Sequence, residues 1–277
     1  MHKFSRERME NAMGKTYYVS VDLEGVACTI GTYGQGLAAG TPGYAFACEQ
    51  ATRETQAAVD ALFAGGADEV YVWDCHGTGY NLDHRAFDKR VKFVLGAGSR
   101  KRFPGLTADC AGVLFIGYHA YDAKDATLCH VYSSATYSGM KVEGKNVGEL
   151  QIDAAIAGKL GVPVLFVSSD DVCVAQAKGS FPEATFVETK QALAWNSCIS
   201  KHPDAVCEEI AAAVGDAMRK AGSVYTFPSP FAYEVTFKRI EYAQGCSLHD
   251  TAGKPFAWDG AYTRFGQLAD PEEIFLY

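Results

Sequence analysis

Tyr17-Tyr-Val-Ser-Val-Asp-Leu-Glu-Gly25 combines the pattern of a strand with two acids at the strand's carboxyl end. Aromatic and β-branched residues fill its first half, which predicts a buried β-strand. Side chains alternate along a strand, so Asp22 and Glu24 point the same way. Two carboxylates this close repel each other unless a proton or a cation lies between them. The segment therefore predicts a divalent metal site or, equally, an exposed strand end with two solvated acids.

The composition is that of a globular protein. At 277 residues the chain can bury the core of one large α/β domain, or of a domain with a smaller lobe. Its net charge is −8 and it has no basic stripe, so we expect neither nucleic acid nor a membrane as a partner. No apolar run approaches the ~20 residues of a membrane span. Nine single cysteines without a C-x-x-C pair favour free thiols in the cytoplasm.

Strand and helix patterns alternate from Tyr17 to about Val187, which is typical of an α/β layer structure. A helical pattern at Tyr44–Phe63 ends at Gly65-Gly66 and precedes a strand at Glu69–Asp74, so the first two strands should be parallel. Further strands are predicted at Val91–Leu95, Val113–Ile116, Val164–Val167 and Phe231–Phe237, a hairpin at Ala135–Val142, and helices at Gly148–Leu160 and Pro203–Lys220.

We predict a mainly parallel sheet flanked by helices, with a smaller C-terminal α+β lobe. The predicted domains are an N-terminal tail, 1–14, a metal-binding α/β catalytic domain, 15–200, and the C-terminal lobe, 201–277. The tail lacks the apolar core of a signal peptide.

Histidines follow two later predicted strands. His76 comes two residues after the strand Glu69–Asp74, and His119 follows the strand Val113–Ile116. Ligands in an open α/β sheet collect at the carboxyl ends of strands. A single histidine is more often structural, but two beside a carboxylate pair favour a site for zinc or a related metal. Cys75 should point away from such a site if the chain is still extended there.

Glu149 is a further candidate with a good structural alternative. It lies three residues after Asn146 and opens a predicted helix. Asn146 as the N-cap with Glu149 as its partner would resemble a capping box, and an acid in the first turn suits the helix dipole. The local pattern therefore favours a capping role over metal binding.

Five short segments stand out along the chain: Ser20-Val-Asp-Leu-Glu-Gly25, Asp74-Cys-His76, Gly117-Tyr-His-Ala120, Val147-Gly-Glu-Leu150 and Ser169-Asp-Asp171. In this order and spacing they resemble the M55 peptidase family of DppA-like D-aminopeptidases. The resemblance runs from about Lys15 to Lys190 and is far more specific than any one of the segments.

The resemblance implies a site for two zinc ions per chain. Its ligands would be the acids of the first segment, the two histidines and the acid of the fourth segment: Asp22, Glu24, His76, His119 and Glu149. It also implies a catalytic role for His130, eleven residues beyond His119. We expect His130 to act as an acid/base or oxyanion-stabilising residue. A structural histidine is the alternative.

The function implied by the resemblance is that of a zinc-dependent aminopeptidase acting on short peptides with a free N-terminus, including D-residues. It also implies a homo-oligomer, since family members form rings described as decamers. Two alternatives stay open. One is a metal-dependent hydrolase of the same fold that acts on another amide or an ester, and the other is a non-catalytic oligomeric metal-binding protein.

Some residues depart from the family's pattern. Cys75 stands where a serine is frequent, and Trp195 and Asn196 stand where relatives commonly carry an arginine. The segment Tyr242–Tyr277 resembles the family only weakly. These departures leave the metal ligands intact and leave substrate preference open. The acids of Ser169-Asp-Asp171 are expected to be hydrogen-bonding residues at a strand end, and His2, His84, His202 and His249 are expected to lie in the tail or near the surface.

Overall fold

Strands and helices alternate from residue 16 to residue 74 and again from residue 149 to residue 194, while five strands follow one another between residues 69 and 147, with only a short 3-10 helix among the residues that the structure describes there. The computed structural model describes residues 15–33, 35–99 and 101–275, and the predicted tail, 1–14, lies outside them. The strands are β1 (Thr16–Val21), β2 (Glu69–Asp74), β3 (Val91–Val94), β4 (Cys110–Ile116), β5 (Tyr137–Val142), β6 (Lys145–Val147), β7 (Val164–Asp170), β8 (Thr185–Ala194), β9 (Ser197–Ser200), β10 (Phe231–Phe237), β11 (Ala257–Asp259) and β12 (Thr263–Leu268). The helices are α1 (Pro42–Ala64), α2 (Glu149–Lys159), α3 (Asp171–Ser180), α4 (Pro203–Ala217) and α5 (Ile240–Gln244), with short 3-10 helices at His84–Ala86 and Pro271–Phe275.

The larger sheet has seven strands in the order β3-β2-β1-β4-β7-β8-β9. Its neighbouring strands are parallel except for the antiparallel hairpin of β8 and β9. The predicted parallel pairing of the first two strands is therefore confirmed. The chain runs outward from β1 to β3 and then returns to place β4 on the other side of β1. This reversal makes the edge between β1 and β4 the expected place for a ligand.

The smaller sheet has five antiparallel strands in the order β11-β12-β10-β5-β6. The prediction of a mainly parallel sheet with a smaller α+β part is confirmed. Two strands of this smaller sheet, β5 and β6, come from the middle of the chain. Helix α4, by contrast, follows residue 200 and packs against α1 and the larger sheet. The boundary predicted at that residue stays a prediction.

Strand β1 contributes to two hydrophobic cores because its side chains alternate between the faces of the sheet. Tyr17, Val19 and Val21 are buried in the core that the sheet shares with α1 and α4. Tyr18 is buried in the other core, which contains Tyr233 of the smaller sheet. The strand that carries the acid pair is thus covered on both faces and held firmly.

Local capping decides two helix starts that periodicity did not predict. Helix α1 begins at Pro42, two residues before the predicted start, because Thr41 accepts a hydrogen bond from Tyr44 N at 3.3 Å and proline suits the first turn. Helix α3 begins directly after β7, where Asp170 Oδ1 accepts a hydrogen bond from Cys173 N at 2.8 Å. Within the described ranges, no helix has the length and apolarity needed to cross a membrane.

Candidate metal centre

The carboxyl ends of β1, β2 and β4 lie level with one another. Val21, the last residue of β1, pairs with Asp74 on one side and with Ile116 on the other. The next amide along the chain, that of Asp22, donates to Ile116 O at 2.8 Å. The acids after β1 and the histidines after β2 and β4 therefore leave the sheet at the same height.

Two glycines allow the loops after β1 and β4 to touch. Gly117 has a φ of +71°, and a Cβ there would lie 2.3 Å from Asp22 O. A Cβ on Gly25 would lie 2.1 Å from Tyr118 O. The structure requires glycine at position 25 because there is no room for a side chain. A larger residue at either position would separate the two loops and the polar side chains that they carry.

All five predicted ligands converge at this edge. His76 Nδ1 lies 2.7 Å from Asp22 Oδ1 and 3.2 Å from Glu24 Oε2. His119 Nε2 lies 3.7 Å from Asp22 Oδ2 and 3.4 Å from Glu149 Oε1. Four of the five residues are buried and His76 is partly exposed.

Glu149 faces the centre and does not cap its helix. Its Oε2 accepts a hydrogen bond from Tyr132 N at 2.7 Å, while Oε1 faces His119. The N-cap of α2 is Gly148, whose amide donates to Gln151 Oε1 at 3.2 Å, and Asn146 lies in β6. The capping role that the local pattern favoured is therefore wrong. Burial alone would raise the pKa of Glu149, but His119 lowers it to about 2.

The carboxylates create a strongly negative potential at the two imidazoles. Burial and the nearby Glu24 hold the pKa of Asp22 well above its usual value. Burial would also raise the pKa of Glu24, but His76 lowers it well below the usual value. Burial opposes protonation of both histidines, yet Glu24 raises the pKa of His76 to about 12, and Glu149 raises that of His119 well above its usual value. A site that stabilises added positive charge so strongly suits a cation.

The donor set fits zinc. Glu24 Oε2 and His119 Nε2 are buried without a hydrogen-bond partner. Ligand atoms of Asp22, Glu24 and His119 lie within 4.8 Å of one another, and so do those of His119, His130 and Glu149. His119 Nδ1 donates to Ala120 O at 3.1 Å, because a carbonyl can only accept, and its Nε2 is left free to ligate. Imidazole and carboxylate donors together are the usual ligands of catalytic zinc.

His130 lies beside the predicted ligands. Its ring stacks on that of His119, with the centroids 3.9 Å apart. Its Nδ1 donates to Leu128 O at 2.7 Å, so Nε2 is the nitrogen with a free lone pair. Burial and the neighbouring His119 lower the pKa of His130 below its usual value. A neutral imidazole with a free Nε2 can accept a proton near neutral pH.

Lys190 is a buried residue that supports the centre and that sequence reasoning did not identify. Its Nζ donates to the backbone carbonyls of Glu24 at 2.5 Å, Val26 at 3.0 Å and Thr29 at 2.8 Å. Thr189, its neighbour in β8, donates to Gly25 O at 2.6 Å. Lys190 thus fixes the backbone that carries Glu24. A lone lysine in a strand gives no local signal of such a role.

An ion pair between the partly exposed Arg102 and the buried Asp153 was also not predicted. Arg102 Nε donates to Asp153 Oδ1 at 3.0 Å, and the hydroxyls of Tyr118 and Tyr132 donate to the same carboxylate at 2.7 and 3.2 Å. Tyr132 in turn binds Glu149 through its amide. The ion pair therefore positions Tyr132, whose amide binds the predicted ligand Glu149.

Other candidates lie away from the centre or make only structural contacts. Cys75 Sγ donates to Val21 O at 3.2 Å and is absent from the groups that could hold a metal among the described residues. Asp170 accepts from Thr127 N at 3.0 Å as well as capping α3, and Asp171 accepts from Ala192 N at 2.8 Å. His84 packs against Phe93.

Comparison with known proteins decides the family. The model of the D-aminopeptidase family Peptidase M55 matches residues 16–255. This chain belongs to the M55 family. The family predicted from five sequence segments is therefore confirmed, and with it the prediction of a metallo-aminopeptidase at the level of the family.

A curated sequence and a solved structure, both from Bacillus subtilis, are similar to this chain. The D-aminopeptidase of strain 168 is 29% identical to this M55 protein over 192 residues, which are 66% of this chain and 67% of the relative. The solved structure of the Zn-dependent D-aminopeptidase DppA, described as a self-compartmentalizing protease, has a TM-score of 0.84 and 23% identity, with 94% of each chain covered. The second likeness shows that the two proteins share a fold.

Proposed function

We propose that this protein is a zinc-dependent aminopeptidase that removes the first residue from short peptides, with D-residues among its substrates. The convergence of Asp22, Glu24, His76, His119 and Glu149 at one edge of the sheet carries this proposal. Membership of a D-aminopeptidase family supports the reaction and the preference for D-residues.

Two zinc ions per chain suit the charge of this centre. Three carboxylates and two neutral imidazoles bring −3, against +4 from two Zn²⁺ ions. Ligand atoms of Asp22, Glu24 and His119 lie within 4.8 Å of one another, and Glu149 Oε1 lies 3.4 Å from His119 Nε2, so the site offers donors to more than one ion. Zinc bound there would polarise the scissile carbonyl and activate water for its attack.

His130 is the residue that we assign to proton transfer. Its Nδ1 is committed to Leu128 O, so Nε2 is available to accept a proton from the attacking water. The same nitrogen then delivers that proton to the amine that leaves when the C–N bond breaks. We assign no metal to His130, because the five other residues already supply the predicted ligands.

We include a homo-oligomeric ring in the proposal, and the family resemblance suggests a decamer as its size. DppA is described as self-compartmentalizing. Trp258, Tyr262 and Phe265 of the smaller sheet and its connections are 44–49% exposed, as a surface between subunits would be in a free chain. Light scattering should give a mass that is a multiple of 29.8 kDa, and a monomer would contradict this part of the proposal.

We also propose that the protein acts in the cytoplasm. All nine cysteines are free in the structure. Free thiols in this number suit a reducing compartment.

Activity against a matched panel tests the proposed reaction. The panel contains D- and L-aminoacyl peptides, the corresponding amides and esters, and peptides with a blocked N-terminus. We expect cleavage of unblocked D-aminoacyl peptides, loss of activity on chelation, and recovery on addition of zinc. A zinc-loaded protein that cleaves only esters, or none of these compounds, would contradict the proposal.

A further inference from the structure

Trp195 lies at the tip of the β8–β9 hairpin, where the geometry of the turn does not require a tryptophan. Trp195 and Asn196 form a two-residue loop between the strands. Such loops favour glycine, asparagine and aspartate, which suit their backbone angles. Trp195 is 37% exposed, so burial in a core does not account for it either. We propose that Trp195 is a positioning residue for His130, an inference that rests on the proposed aminopeptidase function.

Trp195 contacts the backbone of both residues that precede His130, Leu128 and Cys129. Its carbonyl accepts a hydrogen bond from Leu128 N at 2.7 Å, and its Nε1 donates to Cys129 O at 3.3 Å. Leu128 O in turn accepts the Nδ1 hydrogen of His130 at 2.7 Å. The orientation and tautomer of the imidazole therefore depend on a backbone that the hairpin tip holds.

The segment that carries His130 needs such external support. Leu128 and Tyr132, on either side of His130, have φ values of +54° and +49°. Left-handed angles are costly for residues with large side chains and persist only where surrounding contacts fix them. Tyr132 N is held by Glu149, and Leu128 N is held by Trp195. Each strained residue thus has its own partner, and the partner on the Leu128 side is the hairpin tip.

The hairpin tip is itself fixed to the loop that follows β1. Asn196 Oδ1 accepts a hydrogen bond from Gly31 N at 2.6 Å. The indole lies over Gly36, where an added Cβ would be 3.7 Å from Trp195 Cη2. The indole therefore joins the loop after the predicted ligand Glu24 to the segment of His130, and a smaller ring would keep the packing but lose the hydrogen bond.

Trp195→Phe tests this role, with Leu193→Ala, a change of an exposed side chain on the same hairpin, as the matched control. In zinc-loaded protein acting on an unblocked D-aminoacyl peptide, we expect Trp195→Phe to lower kcat about 3- to 10-fold. KM should stay within about twofold, because the lost hydrogen bond is to the backbone of Cys129, next to His130, and not to substrate. Zinc content and Tm should match wild type. Hydrogen exchange in residues 126–132 should become faster in Trp195→Phe only.

A double mutant separates positioning from other roles. In a His130→Ala background, Trp195→Phe should have no further effect on kcat, because the residue that it positions is gone. A full effect in that background, a rise in KM with unchanged kcat, or a Trp195→Phe enzyme equal to wild type would each overturn the inference. Wild type without aminopeptidase activity would instead refute the proposed function, and His130→Ala with normal kcat would refute both the catalytic role of His130 and its positioning.

Discussion

His119 and His130 fix their tautomers in the same way but face different partners. Each donates its Nδ1 hydrogen to a backbone carbonyl, of Ala120 and of Leu128 respectively, so that Nε2 keeps its lone pair. The Nε2 atom of His119 faces the carboxylates of Asp22 and Glu149. In the proposed function, His119 therefore binds metal and His130, which stacks on it, transfers the proton.

The variant His130→Ala separates these two roles. We expect it to retain zinc and its melting temperature, because the five predicted ligands are intact. Its kcat should fall by roughly 10²–10⁴-fold, the usual contribution of one acid/base group. Zinc content, Tm and kcat are measured on the same preparation. Loss of zinc would make His130 a ligand, and a near-normal kcat would return it to a structural role.

Glu54, a buried acid of α1, should make stability depend on pH. Burial raises its pKa to about 7, although Ala27 N and Gln50 donate to Oε1, and Oε2 has no hydrogen-bond partner. The folded protein therefore binds this proton more tightly than the unfolded chain. The resulting stabilisation is present below the unfolded pKa of about 4.5 and is lost as the pH rises through about 7.

Glu54→Gln should remove this dependence. At pH 8 the free energy of unfolding of the variant should exceed that of wild type by on the order of 1–3 kcal/mol, and near pH 5 the two should differ little. Glu49→Gln, on the exposed side of the same helix, is the control. Chemical denaturation at several pH values measures the difference. If the free energies of unfolding of wild type and Glu54→Gln change with pH in parallel, the pKa of Glu54 is not raised by folding and the prediction is wrong.

Among the secondary-structure elements, the β8–β9 hairpin shows where local sequence patterns stop being informative. Periodicity predicted the strands and helices of the β1–α1–β2 unit, because each buries a regular face. It did not predict β8, whose buried and exposed positions follow no regular alternation, or the four-residue β9, in which no residue is buried. The contacts of Lys190 and Trp195 reach residues more than sixty positions away in the chain. Their roles depend on tertiary structure and leave no local signal.

Lys190→Met tests the support that this hairpin gives to Glu24. The change removes one hydrogen bond from each of three carbonyls in buried residues, so we expect a loss of about 2–4 kcal/mol in stability. Zinc affinity should also fall, because the backbone of Glu24 is released. Lys238→Met is the control, since Lys238 is exposed and donates to a single carbonyl, that of Ser134. Equal Tm and zinc affinity in Lys190→Met and wild type would show that the three contacts are not needed.

At the scale of the whole molecule, the sequence predicts the residues of the site more completely than it predicts how the two sheets assemble. The parallel order of β1, β2 and β4 follows from strand and helix patterns, and the strand ends then identify Asp22, Glu24, His76 and His119. Glu149 was identified only through the family resemblance, because its local sequence favours a helix cap over a metal ligand. The smaller sheet pairs Val142 with Tyr233. A pairing at such a distance along the chain is not encoded in any short pattern.

Zinc stoichiometry decides whether the five converging donors form the two-metal centre that we propose. Full-length protein is loaded with zinc, freed of unbound metal and analysed for zinc and protein, together with Asp22→Ala and the distant variant His84→Ala. We predict about two zinc ions per chain for wild type and for His84→Ala, and a clear loss for Asp22→Ala. One zinc ion or none in the fully loaded wild type, or an unchanged content in Asp22→Ala, would contradict the two-metal centre.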